Sequence, residues 1–137
     1  ATHAVAPGEA EALLAELTEG RGAEVVLEMV GHNQDTINFA LDLVARAGTV
    51  AAFGVPDDRV YQKFEYTTFF RKNVTLVSSV IPDPGTDFPE AVRLIEQGRF
   101  KTDGILTHVL PLAEVQNAFT MAADYTNGVV KVVVDLS

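Results

Sequence analysis

The stretch from Ala23 to Pro56, AEVVLEMVGHNQDTINFALDLVARAGTVAAFGVP, switches between two hydrophobic patterns. Val25-Val26-Leu27 and Thr49 to Phe53 are short apolar runs rich in β-branched residues, which predict strands. Both runs are nearly continuous rather than alternating, as in strands covered on both faces. Between them Ile37, Ala40, Leu41 and Val44 recur at helical spacing, with Asn33 or Asp35 available as the N-cap. Strand, amphipathic helix, strand is a βαβ unit, and such units build mostly parallel sheets.

The same alternation continues in both directions. Upstream, Ala10, Leu13, Leu14 and Leu17 form a helical stripe that ends at Gly20-Arg21-Gly22, and a short strand is expected at His3 to Val5. Downstream, strands are expected at Val74 to Val77, Leu106 to Val109 and Val129 to Val134. Phe88, Ala91, Val92 and Ile95, stopped by Gly98, mark a third helix, and Val115, Ala118, Phe119 and Ala122 a fourth. Each of the four helices is expected to bury one face. Ile81 to Asp87, IPDPGTD, is the most loop-like stretch. With no repeat, low-complexity tract or linker, residues 1–137 are expected to form one α/β domain.

Composition narrows the function classes. The chain has 137 residues, 47% hydrophobic and 21% charged, which is ordinary globular composition. No apolar run approaches the roughly 20 residues of a membrane-spanning helix. No secretory signal pattern is visible either, so a soluble, cytoplasmic protein without membrane partners is expected. Ten Lys and Arg against nineteen Asp and Glu give a net charge of −9, with no basic cluster for a nucleic acid. There is no cysteine, and His3, His32 and His108 lack ligand-like spacing, so no metal site is expected. Ala1-Thr2-His3 opens the chain without an initiator Met or a cap, as expected of a trimmed segment.

In an open parallel sheet, ligands sit beyond the C-terminal ends of the strands. The residues just after three predicted strands are Glu28-Met29-Val30-Gly31-His32, Phe53-Gly54-Val55-Pro56 and Ser78-Ser79-Val80-Ile81. Gly31 and Gly54 admit either a plain turn or the close approach of backbone to a ligand. The G-x-G-x-x-G fingerprint is absent, and Gly20-Arg21-Gly22 follows a helix and precedes a strand, the reverse of the required context. It reads as a helix C-cap with a turn. His108 reads as structural, whereas His32 stands where a cofactor contact is as plausible as none. Lys131 is either an edge lysine with a solvated head or a cation for phosphate. Asp57, Asp58, Asp83 and Asp87 read as solvated loop charges, and no acid–base pair stands out, so no catalytic residue is assigned.

Taken in order, several stretches resemble the medium-chain, zinc-type alcohol dehydrogenases. They are Gly20 to Val26, Met29-Val30-Gly31, Ala47-Gly48-Thr49-Val50, Phe53 to Pro56, Arg71 to Leu76, Leu106-Thr107-His108, Pro111-Leu112 and Val130 to Val133. The resemblance spans essentially the whole chain and implies the C-terminal part of a Rossmann-type cofactor domain, an incomplete doubly wound sheet without its first βαβ portion. It implies that the backbone around Met29, Val30 and Gly31, around Phe53, Gly54 and Val55, and around Ser79, Val80 and Ile81 flanks the nicotinamide of NAD or NADP and its ribose, with His32 beside the first of these. It also implies that Lys131 stands near the pyrophosphate. In the full-length enzyme, hydride would pass between nicotinamide and an alcohol or carbonyl held by zinc in a separate catalytic domain.

The resemblance further implies that residues 1–137 alone are inactive and bind cofactor poorly. The strand at Val74 to Ser78 would lie at the edge that pairs subunits in family dimers. In the strand order 3-2-1-4-5-6, losing strands 1 and 2 isolates the segment at His3 to Val5 and leaves the strand at Val25 as a bare edge. Such an edge is expected to recruit a second chain. Two other readings stand beside the dehydrogenase: a nucleotide-binding or regulatory module without a reaction, and an interaction protein built on a dehydrogenase remnant.

Overall fold

The computed structural model describes residues 1–57, 59–79 and 81–137. It divides into two compact units, residues 1–82 and 83–137. The division falls inside the loop-like stretch at Ile81 to Asp87. Both units are α/β with parallel strands.

The first unit runs α1 (Pro7–Thr18), β1 (Ala23–Glu28), α2 (Asp35–Leu43), β2 (Val44–Ala52), α3 (Tyr66–Lys72) and β3 (Thr75–Ser78). Its sheet has the order β1-β2-β3, all parallel, with Val50 of the central strand opposite both Val26 and Leu76. Between Ala23 and Val25 the register shifts, because β2 places Val44 opposite the former and Thr49 opposite the latter. Ala47, at φ 57°, turns the chain within that excess.

Sequence periodicity located α2 because its stripe is buried: Ile37, Ala40 and Leu41 join Val44, Val50 and Val74 in one core. Phe64 and Phe69 pack against it, their rings 5.7 Å apart. The helix is entered at Gln34, and Asn33 accepts the Asp35 N–H through Oδ1 at 2.9 Å. Asn33 therefore supplies the capping oxygen, one position before the assigned cap. At the other end Lys72 Nζ donates to the carbonyls of Leu41 (2.7 Å), Asp42 (2.8 Å) and Val44 (3.0 Å). These are orphan acceptors of a helix C-terminus, where a cation is also favoured by the helix dipole. Lys72→Met should therefore destabilise the natural full-length protein by about 1–2 kcal/mol. Chemical denaturation checks this, and an unmoved midpoint would show that water serves those carbonyls as well.

The expected strand at His3 to Val5 does not form; residues 1–6 carry no regular structure and are exposed. A strand exists only through ladder hydrogen bonds, and β1 pairs with β2 alone among the described strands. The expected edge at Val25 is present, since β1 ends the sheet, and the Val25 and Leu27 side chains are 58% and 61% exposed. The continuous apolar run therefore did not guarantee cover on both faces. Helix α3 was not anticipated: its Tyr66, Phe69 and Phe70 stand at i, i+3 and i+4, but the helix is only seven residues long and the stripe does not repeat.

The second unit runs α4 (Asp87–Glu96), β4 (Leu106–Pro111), a 3-10 turn (Leu112–Glu114), α5 (Val115–Asp124) and β5 (Lys131–Asp135). β4 and β5 are parallel, with His108 opposite Val132. Ala118, Met121 and Val129 are buried. Thr107 ties the strands at one end, accepting the Val130 N–H at 3.0 Å and donating to the Lys131 carbonyl at 3.1 Å. The expectation of one buried face per helix holds for α2 and α5 only; α1 and α4 contain no buried residue. Within these units the stripe of α4, including Phe88, Val92 and Ile95, remains exposed.

Candidate functional site

Register places three strand ends side by side. Glu28 ends β1 opposite Ala52, and Ala52 lies opposite Ser78 at the end of β3. The following residues share one edge of the sheet: Met29 to His32 after β1, Phe53 to Val55 after β2, and Ser79 after β3. Met29, Val30, Phe53, Val55 and Ile81 are all at least half exposed. Five apolar side chains held open at the C-terminal edge of a parallel sheet suit the face of a flat, partly apolar ligand. Val80 lies outside the described residues, as does Asp58.

The loops after β1 and β2 are joined backbone to backbone. The Glu28 carbonyl accepts the N–H groups of Phe53 (2.8 Å) and Gly54 (3.0 Å), and the Val55 carbonyl accepts that of His32 (3.0 Å). A Cβ on Gly31 would stand 2.2 Å from the Val55 oxygen, and one on Gly54 would stand 2.1 Å from the Gly31 nitrogen. The two glycines thus admit each other's loops. At both positions protein backbone makes the close approach, and Gly31 also takes the left-handed φ of 63° that a turn favours.

Beneath this crossing is Glu28, 6% exposed. Its Oε1 accepts from the N–H groups of Val30 (3.0 Å) and Gly31 (2.9 Å). Burial pushes the carboxyl pKa upward, but hydrogen bonds from Gly31, the Thr36 side chain, Val30 and Gly54 outweigh it. The group is held below its ordinary value of 4.5 and stays ionised at neutral pH. Glu28 was quoted in the sequence but given no role there. The available signal was a carboxylate closing an apolar strand, three residues before a glycine, since a buried charge requires donors nearby.

His32 also has a partner that the sequence did not suggest. Its Nδ1 lies 2.8 Å from Asp57 Oδ1, joining the first two loops at the surface, with side chains 71% and 64% exposed. Such an exposed pair contributes about 0–1 kcal/mol. Asp57 is therefore not merely a solvated charge. Asp83 and Asp87 are also engaged locally: Asp83 Oδ1 accepts the Gly85 N–H, and Asp87 Oδ2 accepts the Asp83 N–H.

Gly20 and Gly22 follow the αL cap Glu19 with φ of 76° and 84°, as a helix stop should. His108 lies on β4 with Nδ1 3.0 Å from Thr107 Oγ1, in keeping with its structural reading. Lys131 is exposed at the first position of β5, in the second unit. In the first unit a hollow of about 530 Å³ opens at the opposite, N-terminal ends of the strands. Its walls mix Arg21, Arg46 and Lys72 with Glu24 and Asp42, and it is remote from the strand-end loops. An apolar groove of about 480 Å³ runs between β1 and α2 up to Met29 and Val30.

Among the described residues no group of three or more His, Asp or Glu could hold a metal ion, and the chain contains no cysteine. Zinc has no ligand set among them. No helix of the described residues is long and apolar enough to cross a membrane.

Parallel strands, flanking helices and a glycine-bearing crossing at the C-terminal strand ends define a Rossmann-like α/β protein. Residues 1–97 match the zinc-binding dehydrogenase family. The chain belongs to that family. A probable zinc-binding alcohol dehydrogenase of Mycobacterium tuberculosis is 36% identical over 113 residues, which is 82% of this chain and 28% of the relative. D-arabinitol dehydrogenase 1 of Uromyces fabae is 32% identical over 74% of this chain and 28% of its own length. Among solved structures, an alcohol dehydrogenase zinc-binding domain protein of Burkholderia ambifaria superposes with a TM-score of 0.82 at 26% identity, over 100% of this chain and 37% of that one. The chain thus spans about a third of the length of the proteins it resembles.

Proposed function

We propose that this chain is the C-terminal part of the cofactor domain of a nicotinamide-dependent alcohol or polyol dehydrogenase. The observation that carries the reading is the in-register gathering of three strand ends, with Met29, Val30, Phe53, Val55 and Ile81 exposed around a rigid loop crossing. In this reading the residues 29–32, 53–55 and 79–81 flank the nicotinamide and its ribose. Their apolar side chains exclude water from one ring face and orient the ring, and the joined backbones keep that surface fixed before the cofactor arrives. His32 borders the same edge. The cofactor, when bound, supplies the hydride chemistry. The substrate is a small alcohol or carbonyl compound, in line with the names of the relatives, and the edge strand β3 suits pairing with a second subunit.

Titration of the natural full-length protein with NADH and NADPH, followed by nicotinamide fluorescence, tests the reading. Saturable binding of one of them, with alcohol- or polyol-dependent reduction of its oxidised form, is the expected result. Binding without turnover on any alcohol would favour the nucleotide-binding module, and no binding would remove both.

A further inference from the structure

Glu28 is the one buried charged residue among the described residues, yet no role in the chemistry above requires a charge there. What surrounds it is donors. The N–H groups of Val30 and Gly31 point at Oε1, and the Gly54 N–H and the Thr36 side chain also stabilise the ionised form. Its own carbonyl meanwhile holds the N–H groups of Phe53 and Gly54. One residue therefore contacts the backbone of both crossing loops, from its side chain on one and its main chain on the other.

We infer that Glu28 is a positioning residue whose carboxylate fixes the backbone of residues 29–31 against residues 53–55, and so sets the surface that receives the nicotinamide. This inference rests on the proposed function. An ionised carboxylate only accepts hydrogen bonds, so it matches a shell made of donors. A glutamine of nearly the same size offers one oxygen and one NH2, and either orientation turns a donor toward a donor. The Thr36 hydroxyl, which also donates to the Asn33 carbonyl at 2.8 Å, can offer its oxygen to an NH2, but a backbone N–H cannot. With the NH2 toward residues 29–31, the Val30 and Gly31 N–H groups lose their acceptor in a buried place; with it toward Gly54, that N–H keeps the Glu28 carbonyl but faces a second donor, and the loop must move.

The test compares wild type with Glu28→Gln in the natural full-length protein. Two ligands are titrated: NADH or NADPH, whichever wild type binds, and ADP-ribose, which lacks the nicotinamide. The expected result is about tenfold weaker binding of the reduced dinucleotide with ADP-ribose affinity unchanged. Equal affinities for both proteins overturn the inference, and so does an equal loss for both ligands, which would mark a general structural role. Hydrogen exchange of the wild-type amides of Val30, Gly31 and Gly54 stands even if the variant does not fold. Slow exchange in the absence of ligand is expected, and exchange at the rate of exposed loop amides overturns the inference. A wild type that gains no affinity from the nicotinamide sinks the functional reading, a result distinct from a variant that behaves like wild type.

Discussion

Gly54→Ala is expected to destabilise the natural full-length protein by about 3 kcal/mol or more, at the upper end of overpacking substitutions. The new methyl would stand 2.1 Å from the Gly31 nitrogen, 2.7 Å from its Cα and 2.6 Å from Glu28 Oε2. Two of these neighbours are backbone and the third belongs to a carboxylate whose partners fix it, so none can swing aside. The crossing loops must separate, and the hydrogen bonds from the Gly54 and His32 N–H groups would go with them. Gly8→Ala makes the control. Nothing lies within 4 Å of a Cβ there, and in α1 the change should be neutral or stabilising by up to about 1 kcal/mol. Denaturant midpoints of the two variants compare them directly. A Gly54→Ala midpoint equal to that of wild type would mean that the loops do not cross as closely as described.

Leu41→Ala should cost about 2–5 kcal/mol. Leu41 is 0% exposed and lies in the core formed by Ile37, Ala40, Val44, Val50 and Val74, with the ring of Phe69 packed nearby. Truncation removes three carbons from the point where α2 meets the sheet, and close-packed neighbours collapse only partly into such a space. The loss is read from the unfolding midpoint of the full-length protein. A cost below about 1 kcal/mol would show that this core repacks freely, and would weaken the case that α2 rigidly carries the loop at Gly31.

Much of this architecture was legible because it is local. The stripe of α2 was readable since Ile37, Ala40 and Leu41 are buried, and β1, β2 and β3 were readable as β-branched runs. The grouping of the three strand ends followed from direction alone, because parallel strands bring their C-terminal ends to one edge. Helix α3 was missed although Tyr66, Phe69 and Phe70 stand at i, i+3 and i+4, because its seven residues end before that stripe can repeat. The strand at His3 to Val5 failed for another reason: composition cannot supply the neighbour whose carbonyls and N–H groups a strand needs.

The order of residues was enough to settle the parallel α/β class, the helix stop at Gly20-Arg21-Gly22 and the three strand ends that share one sheet edge, because each depends on periodicity or on a single residue's conformational freedom. The purpose of Gly31 and Gly54, the ionised Glu28 beneath them, the pairing of His32 with Asp57 and the grip of Lys72 on the end of α2 were decided only by tertiary structure. Each of these joins groups that the sequence lists apart. Whether a glycine faces solvent, a ligand or another backbone depends on what the fold brings within a few ångströms of its missing Cβ, and a carboxylate stays charged in a buried place only where the folded chain gathers the donors to hold it.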